Sequence, residues 1–170
     1  MGLLQRLFGS TPAREGEPLY NALVARARQP HWYQAGGVPD TIDGRFDMVA
    51  AVLTMVLLRL EQDAESAATL SASLAECFID DMDGQLRQQG VGDIMVGKHV
   101  GRMMGMLGGR LGAYRDGMTG GDIDGAMIRN IYRGTAPAPD SLAHSRDKLL
   151  AFRAALDGVS VERLRAGDLP

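Results

Sequence analysis

The segment from Phe46 to Leu60 constrains the fold more than any other, because Phe46, Met48, Val49, Val52, Leu53, Met55, Val56, Leu57 and Leu60 leave it almost no polar side. Read as a helix from about Gly44 to Gln62, it must be enclosed by other helices. Its longest apolar stretch is only about half of the roughly 20 residues that a bilayer span needs. The segment is therefore expected to be the central helix of a bundle. The next one supplies a wall. Leu70, Leu74, Phe78, Met82 and Leu86 recur every fourth residue between Ser66 and Gln89, which predicts one apolar stripe on a long helix. Glu76, Asp80, Asp83 and Arg87 fall on its other side, and Gly90 suits its termination.

Asp93 is placed to cap a helix from about Ile94 to Asp116. Shorter helices are predicted from Leu19 to Arg28 and from Asp122 to Tyr132. Another follows from Ser141 to Leu156, and a terminal turn from Val161 to Arg165. No run alternates with period two for long enough to predict a sheet. The expectation is an all-α, single compact bundle of about five main helices. Residues 1–18 are expected to form a mobile N-terminal segment and linker, and residues 19–170 the helical domain. Leu3, Leu4, Leu7 and Phe8 would share one side of a short amphipathic segment and touch a membrane peripherally, though so few residues bind weakly.

Composition narrows the function classes. A net charge of −3 gives no footprint for nucleic acid. The single cysteine, Cys77, excludes an internal disulfide and a cysteine-rich metal site. His31, His99 and His144 are far apart and lack ligand spacing, so no metal and no cofactor are expected. Asp80, Asp81 and Asp83 are the strongest acid–base candidates, and a bundle enzyme or metal-binding protein built on the Asp80–Asp83 carboxylates with His99 is the rival reading. A carboxylate-bridged metal pair, however, needs Glu-x-x-His pairs on facing helices, and the sequence has none. Gly92 and Gly97-Lys98 have a phosphate-loop interval, but His99 stands where a hydroxyl is required. Asp81 falls at the core boundary and needs a partner, for which Arg45 or Arg110 is expected.

Two features call for more than packing. Gly97, Gly101, Gly105, Gly108 and Gly112 form a stripe on one helix, each lowering helix propensity by about 0.8–1 kcal/mol relative to alanine. Small residues at that spacing allow close helix approach. An internal crossing is the favoured account, and a shallow groove for a partner's helix, edged by Met103, Met104 and Met106, is the alternative. The second feature is the loop after Trp32 and Tyr33. There Pro39-Asp40-Thr41 is turn chemistry, Asp43 is expected to cap the following helix, and Arg45 sits at a helix start where a cation is disfavoured. That points to a specific ion pair, with Asp81 or Asp83 as the expected acid, or to a docking role.

These segments resemble the ubiquinol–cytochrome c chaperone family. The matching features are Leu19-Tyr20 with Ala27-Arg28-Gln29-Pro30 and Tyr33; Val38-Pro39-Asp40-Thr41 with Gly44-Arg45-Phe46; Asp80-Asp81-Met82-Asp83 with Leu86-Arg87; and Gly90-Val91-Gly92-Asp93 with Val96-Gly97-Lys98. Gly109-Arg110 and Tyr114 extend the match, in the same order along the chain. The resemblance implies a helical, non-enzymatic assembly chaperone that binds newly made cytochrome b and promotes assembly of respiratory complex III. It further implies a bacterial member at the cytoplasmic face of the inner membrane. The partner-binding residues expected from it are Tyr33, Asp40, Arg45, Asp81, Asp83, Arg87, Asp93 and Lys98.

Overall fold

The computed structural model describes residues 14–88 and 93–170, without the side chains of residues 86, 87, 93–97, 99 and 100. Leu3, Leu4, Leu7 and Phe8 lie outside the described residues. The chain is an all-α bundle with the order α1 (Glu17–Ala27), α2 (Pro30–Gln34), α3 (Ile42–Leu60), α4 (Ala64–Gln88), α5 (Asp93–Met118), α6 (Ile123–Asn130), α7 (Pro139–Leu156) and α8 (Val161–Arg165). A short 3-10 turn, Glu61–Asp63, joins α3 to α4.

The segment that is apolar on all sides is the central helix. Every residue of α3 from Asp47 to Leu60 is buried, and α1, α4, α5 and α7 pack around it. Its few polar groups are satisfied internally. The Thr54 hydroxyl donates to the Ala50 carbonyl at 2.7 Å. Arg59 donates to the Leu156 and Val159 carbonyls, both at 3.0 Å, and so ties the end of α3 to the end of α7. From Leu70 to Met82 the stripe on α4 is buried as its period requires, with Leu70 and Leu74 at 0%, Phe78 at 1% and Met82 at 4% exposure, and Leu86 lies where side chains are not described.

The boundaries differ in instructive places. The stretch from Pro30 to Arg45 reads as loop in the sequence, yet Pro30 opens the short helix α2 from its first position, where the missing N–H is no loss. Trp32 is a core anchor, 1% exposed, whose indole donates to the Arg26 carbonyl at 2.9 Å. Thr41, and not Asp43, caps α3 by accepting from the Gly44 amide at 3.1 Å. Ahead of α1, the Gly16 amide donates to Ser73 at 2.9 Å and Arg165 pairs with Glu15 at 2.6 Å.

One pH dependence follows from the junction of α2 and α7. His31 Nδ1 and His144 Nε2 share a hydrogen bond at 3.1 Å, which requires one of the rings to be neutral. Burial first, then His144, Lys148 and Arg26, hold the His31 pKa below its ordinary value. The unfolded chain therefore binds this proton more readily, so stability falls as pH drops through about 6.5. Melting curves at pH 8 and pH 5.5 check this: the acid loss of Tm is expected to shrink in His31→Gln, and an unchanged loss contradicts it.

Candidate partner-binding surface

Four of the expected site residues line two grooves that meet at one arginine, Arg28: Tyr33, Asp40 and Arg45 the first, and Asp81 the second. Tyr33, Asp40 and Arg45 come together with Arg28 and Gln34 around a recess of about 290 Å3 between α1, α2 and the start of α3. Local structure fixes each of them. The Tyr33 hydroxyl donates to the Ala27 carbonyl at 2.8 Å, which anchors the ring at the end of α1. Gly44 lies against Pro39 so closely that a Cβ there would overlap the Pro39 carbonyl oxygen. That contact sets the loop carrying Asp40 beside the first turn of α3. Arg45 Nε then reaches Asp40 at 2.6 Å, with its guanidinium 6.0 Å from the Tyr33 ring.

Arg45 thus pairs with Asp40, and the expected partners Asp81 and Asp83 are corrected to a residue five positions away. The physical reason is reach: the loop folds back over the helix start and offers a carboxylate at once. Both side chains of the pair are 57% exposed, so solvent screens it and it adds little to folding. An ordered ion pair of so little structural value, beside an aromatic ring, suits recognition better than stability.

The second groove, about 630 Å3, runs between α1 and α4 and also uses Arg28, together with Glu17, Tyr20, Cys77, Asp80 and Asp81. Asp81 is half-buried at the core boundary, as its helical position predicts. Its partner is not an arginine. The Tyr20 hydroxyl donates to it at 2.7 Å, and burial together with Asp81 raises the Tyr20 pKa far above its ordinary value. Asp80 is paired with Arg14. Asp80 and Asp81 are therefore each engaged with a different residue of the N-terminal region, an arrangement that orients them and gives no converging carboxylate set. Among the described residues no group of three or more His, Cys, Asp or Glu is placed to hold a metal. The rival reading also needs His99, whose side chain lies outside the described residues, as do those of Arg87 and Asp93. Asp83 is partly buried on α4, and Lys98 is exposed near the start of α5.

Arg110, the other partner expected for Asp81, instead meets Asp47. Arg110 Nη2 donates to Asp47 at 2.5 Å and Arg133 Nε donates to the same carboxylate at 2.6 Å. The Arg110 guanidinium also lies 5.4 Å from the Phe46 ring centre. Burial pushes the Asp47 carboxyl up, against the pull of Arg133 and Arg110. Asp47 was overlooked in the sequence, although a lone carboxylate between Phe46 and Met48 was the available signal. The first turn of α3 consequently separates two surfaces: Tyr33, Asp40 and Arg45 on one side, and Asp43, Asp47 and Arg133 on the other, with Ile42 60% exposed between them.

The glycine stripe also differs from the favoured account. A Cβ at Gly101, Gly105, Gly108, Gly109 or Gly112 would meet nothing within 4 Å among the described residues. From Gly101 to Gly112 the stripe faces outward and packs no crossing among the described residues, and Gly97 lies where side chains are not described. Helical period showed that these glycines share a face, but not which face it was.

A bundle of this kind, with charged recesses, matches the family model described as ubiquinol–cytochrome C chaperone over residues 34–169. The chain belongs to the ubiquinol–cytochrome c chaperone family. Among solved structures it is similar to the crystal structure of the Cbp3 homologue from Brucella abortus, with a TM-score of 0.78 and 30% sequence identity, covering 99% of this chain and 95% of that one. No curated protein sequence matched. Among the described residues no helix is long and apolar enough to cross a membrane.

Proposed function

We propose that this protein is an assembly chaperone for the ubiquinol–cytochrome c reductase complex and that its client is newly made cytochrome b. Family membership supports the assembly role. The observation that carries the finer reading is the continuity of the Tyr33–Asp40–Arg45 recess with the Asp80–Asp81 groove through Arg28. Asp40, Arg45, Asp80 and Asp81 all fall within the family match. Exposed, oriented charges supply registration and partner choice more than raw affinity. On this reading Asp83, Arg87, Asp93 and Lys98 extend the surface along the end of α4 and the start of α5. The protein acts by holding its client at the cytoplasmic face of the inner membrane, and it catalyses nothing.

Tagged protein recovered from its own cells tests this. Cytochrome b is expected to co-purify, and deletion of the gene is expected to deplete assembled complex III. Recovery without cytochrome b, together with normal complex III in the deletion strain, would sink the proposal.

A further inference from the structure

Helix α2 is fastened to the α6–α7 side of the bundle at both ends. Past its last turn the Gly36 carbonyl accepts from the Tyr132 hydroxyl at 2.7 Å and from the Ser145 hydroxyl at 3.3 Å. At its start the fastening is the contact of His31 with His144 of α7. The same five-residue helix supplies Tyr33 and Gln34 to the recess shared with Asp40 and Arg45. A titratable contact and part of the candidate partner surface thus sit on one small element.

The hydrogen bonds decide which ring responds to acid. His31 Nε2 lies 3.2 Å from Gln29 Oε1, an acceptor, so neutral His31 carries its hydrogen there. Its Nδ1 then accepts in the 3.1 Å bond, and His144 Nε2–H donates. A proton arriving at His31 goes to Nδ1, where it replaces the lone pair and faces another donor. His144 keeps its Nε2–H in either charge state, so its own protonation leaves the bond intact. The charges that bear on His31 are Arg26 from α1 and His144 and Lys148 from α7, none of them an acid. Arg26 is held in place, its guanidinium 4.1 Å from the Phe152 ring centre. Asp140 and Asp147 lie about one turn to either side of His144 on α7, and Asp147 is paired with Arg146.

We propose that His31 is an acid-sensitive latch on the recess: protonation at Nδ1 breaks the contact with α7 and frees the start of α2, with Tyr33 and Gln34, while Gly36 stays fixed. This rests on the chaperone reading only for what the recess holds, and adds how its grip responds to pH. Burial and the neighbouring cations keep the His31 pKa below its ordinary value in the closed state. The latch is therefore fully closed above about 6.5 and loses stability as pH falls below it. At pH 5.5 a freed imidazole is about tenfold more often protonated than neutral, which favours opening by up to that factor.

Trp32 is the only tryptophan of the chain, and its ring centre lies 4.3 Å from that of His31. Its emission reports the latch directly, since an imidazolium quenches indole more strongly than a neutral imidazole. Titration of the full chain from pH 8 to 5 is expected to show a step with its midpoint below 6.5, with far-ultraviolet circular dichroism unchanged. The Ala35 and Gly36 amides both bond the His31 carbonyl. Their hydrogen-exchange protection, corrected for intrinsic rate, is expected to drop by about tenfold between pH 7.5 and 5.5, and that of the Leu164 amide in α8 to hold. His31→Gln is expected to abolish both changes. His144→Gln still offers a donor to Nδ1 and is expected to keep them, while Lys148→Glu moves the midpoint to higher pH. The proposal is overturned by the absence of a step, by a step that survives His31→Gln or is lost in His144→Gln, or by a loss of helicity or of Leu164 protection alongside it. Should His31→Gln not fold, an unmoved midpoint in Lys148→Glu overturns it equally. No arm contains cytochrome b, so failure here is distinct from failure to co-purify it.

Discussion

Replacing Asp47 with alanine is expected to cost about 3–5 kcal/mol, the usual penalty for removing one partner of a buried ion pair. Asp47 is 1% exposed and answers both Arg110 and Arg133. Arg110 is left as a buried charge without a counter-ion, because its only other hydrogen bond among the described residues is a 3.5 Å contact with the Asn130 carbonyl. At about 2–4 °C per kcal/mol for a chain of this size, Tm falls by roughly 10 °C. Asp43→Ala is the control: its pair with Arg133 is exposed, at 67% and 52%, and its loss costs about 1 kcal/mol or less. Denaturant unfolding of both variants reads the difference. Similar small losses for the two would mean that the buried pair does not hold α3, α5 and Arg133 together. Asp47→Leu combined with Arg110→Met is expected to recover most of the loss, since an apolar pair avoids the desolvation of two charges.

Gly44→Ala is expected to damage folding and the candidate surface together. Gly44 is buried, and its missing Cβ is what lets the Pro39 carbonyl lie against the first turn of α3. An added methyl must push the Val38–Asp40 loop outward or shift the helix start, and overpacking of this kind costs about 1–3 kcal/mol. Val38 is itself buried, and its amide donates to the Trp32 carbonyl at 3.1 Å, so displacement spreads into the core. Asp40 moves away from Arg45, and recovery of cytochrome b is expected to fall with Tm. Arg45→Ala separates the two effects: stability is little changed, because the pair is screened by solvent, while recovery drops. A Gly44→Ala protein with wild-type Tm would contradict the close contact.

The core was legible because it depends on period. The four-residue repeat from Leu70 to Met82 and the unbroken apolar character of Met48 to Leu60 each admit one arrangement, in which both are buried. Partner choice was less legible, since period places a side chain on a face and says nothing of what lies opposite. Asp81 was correctly set at the core boundary, but a tyrosine hydroxyl 61 residues away met it. Arg110 was expected to meet Asp81, but it meets Asp47, 63 residues back. The glycine stripe shows the same gap, because equal spacing describes a buried crossing and an open face alike. Tyr33, Asp40 and Arg45 were found together because turn chemistry and a misplaced cation are local signals, and their neighbourhood with Asp80 and Asp81 through Arg28 required the fold.

Site-specific photocrosslinking from Gln34 tests the central claim most directly. Gln34 is exposed and lines the recess of Tyr33, Asp40 and Arg45 without joining its ion pair. With a benzoylphenylalanine at that position in living cells, an adduct with cytochrome b is expected, and none from the same probe at Ala151, exposed on α7. Absence of the Gln34 adduct in cells that are assembling complex III, or equal adducts from both positions, would contradict the account.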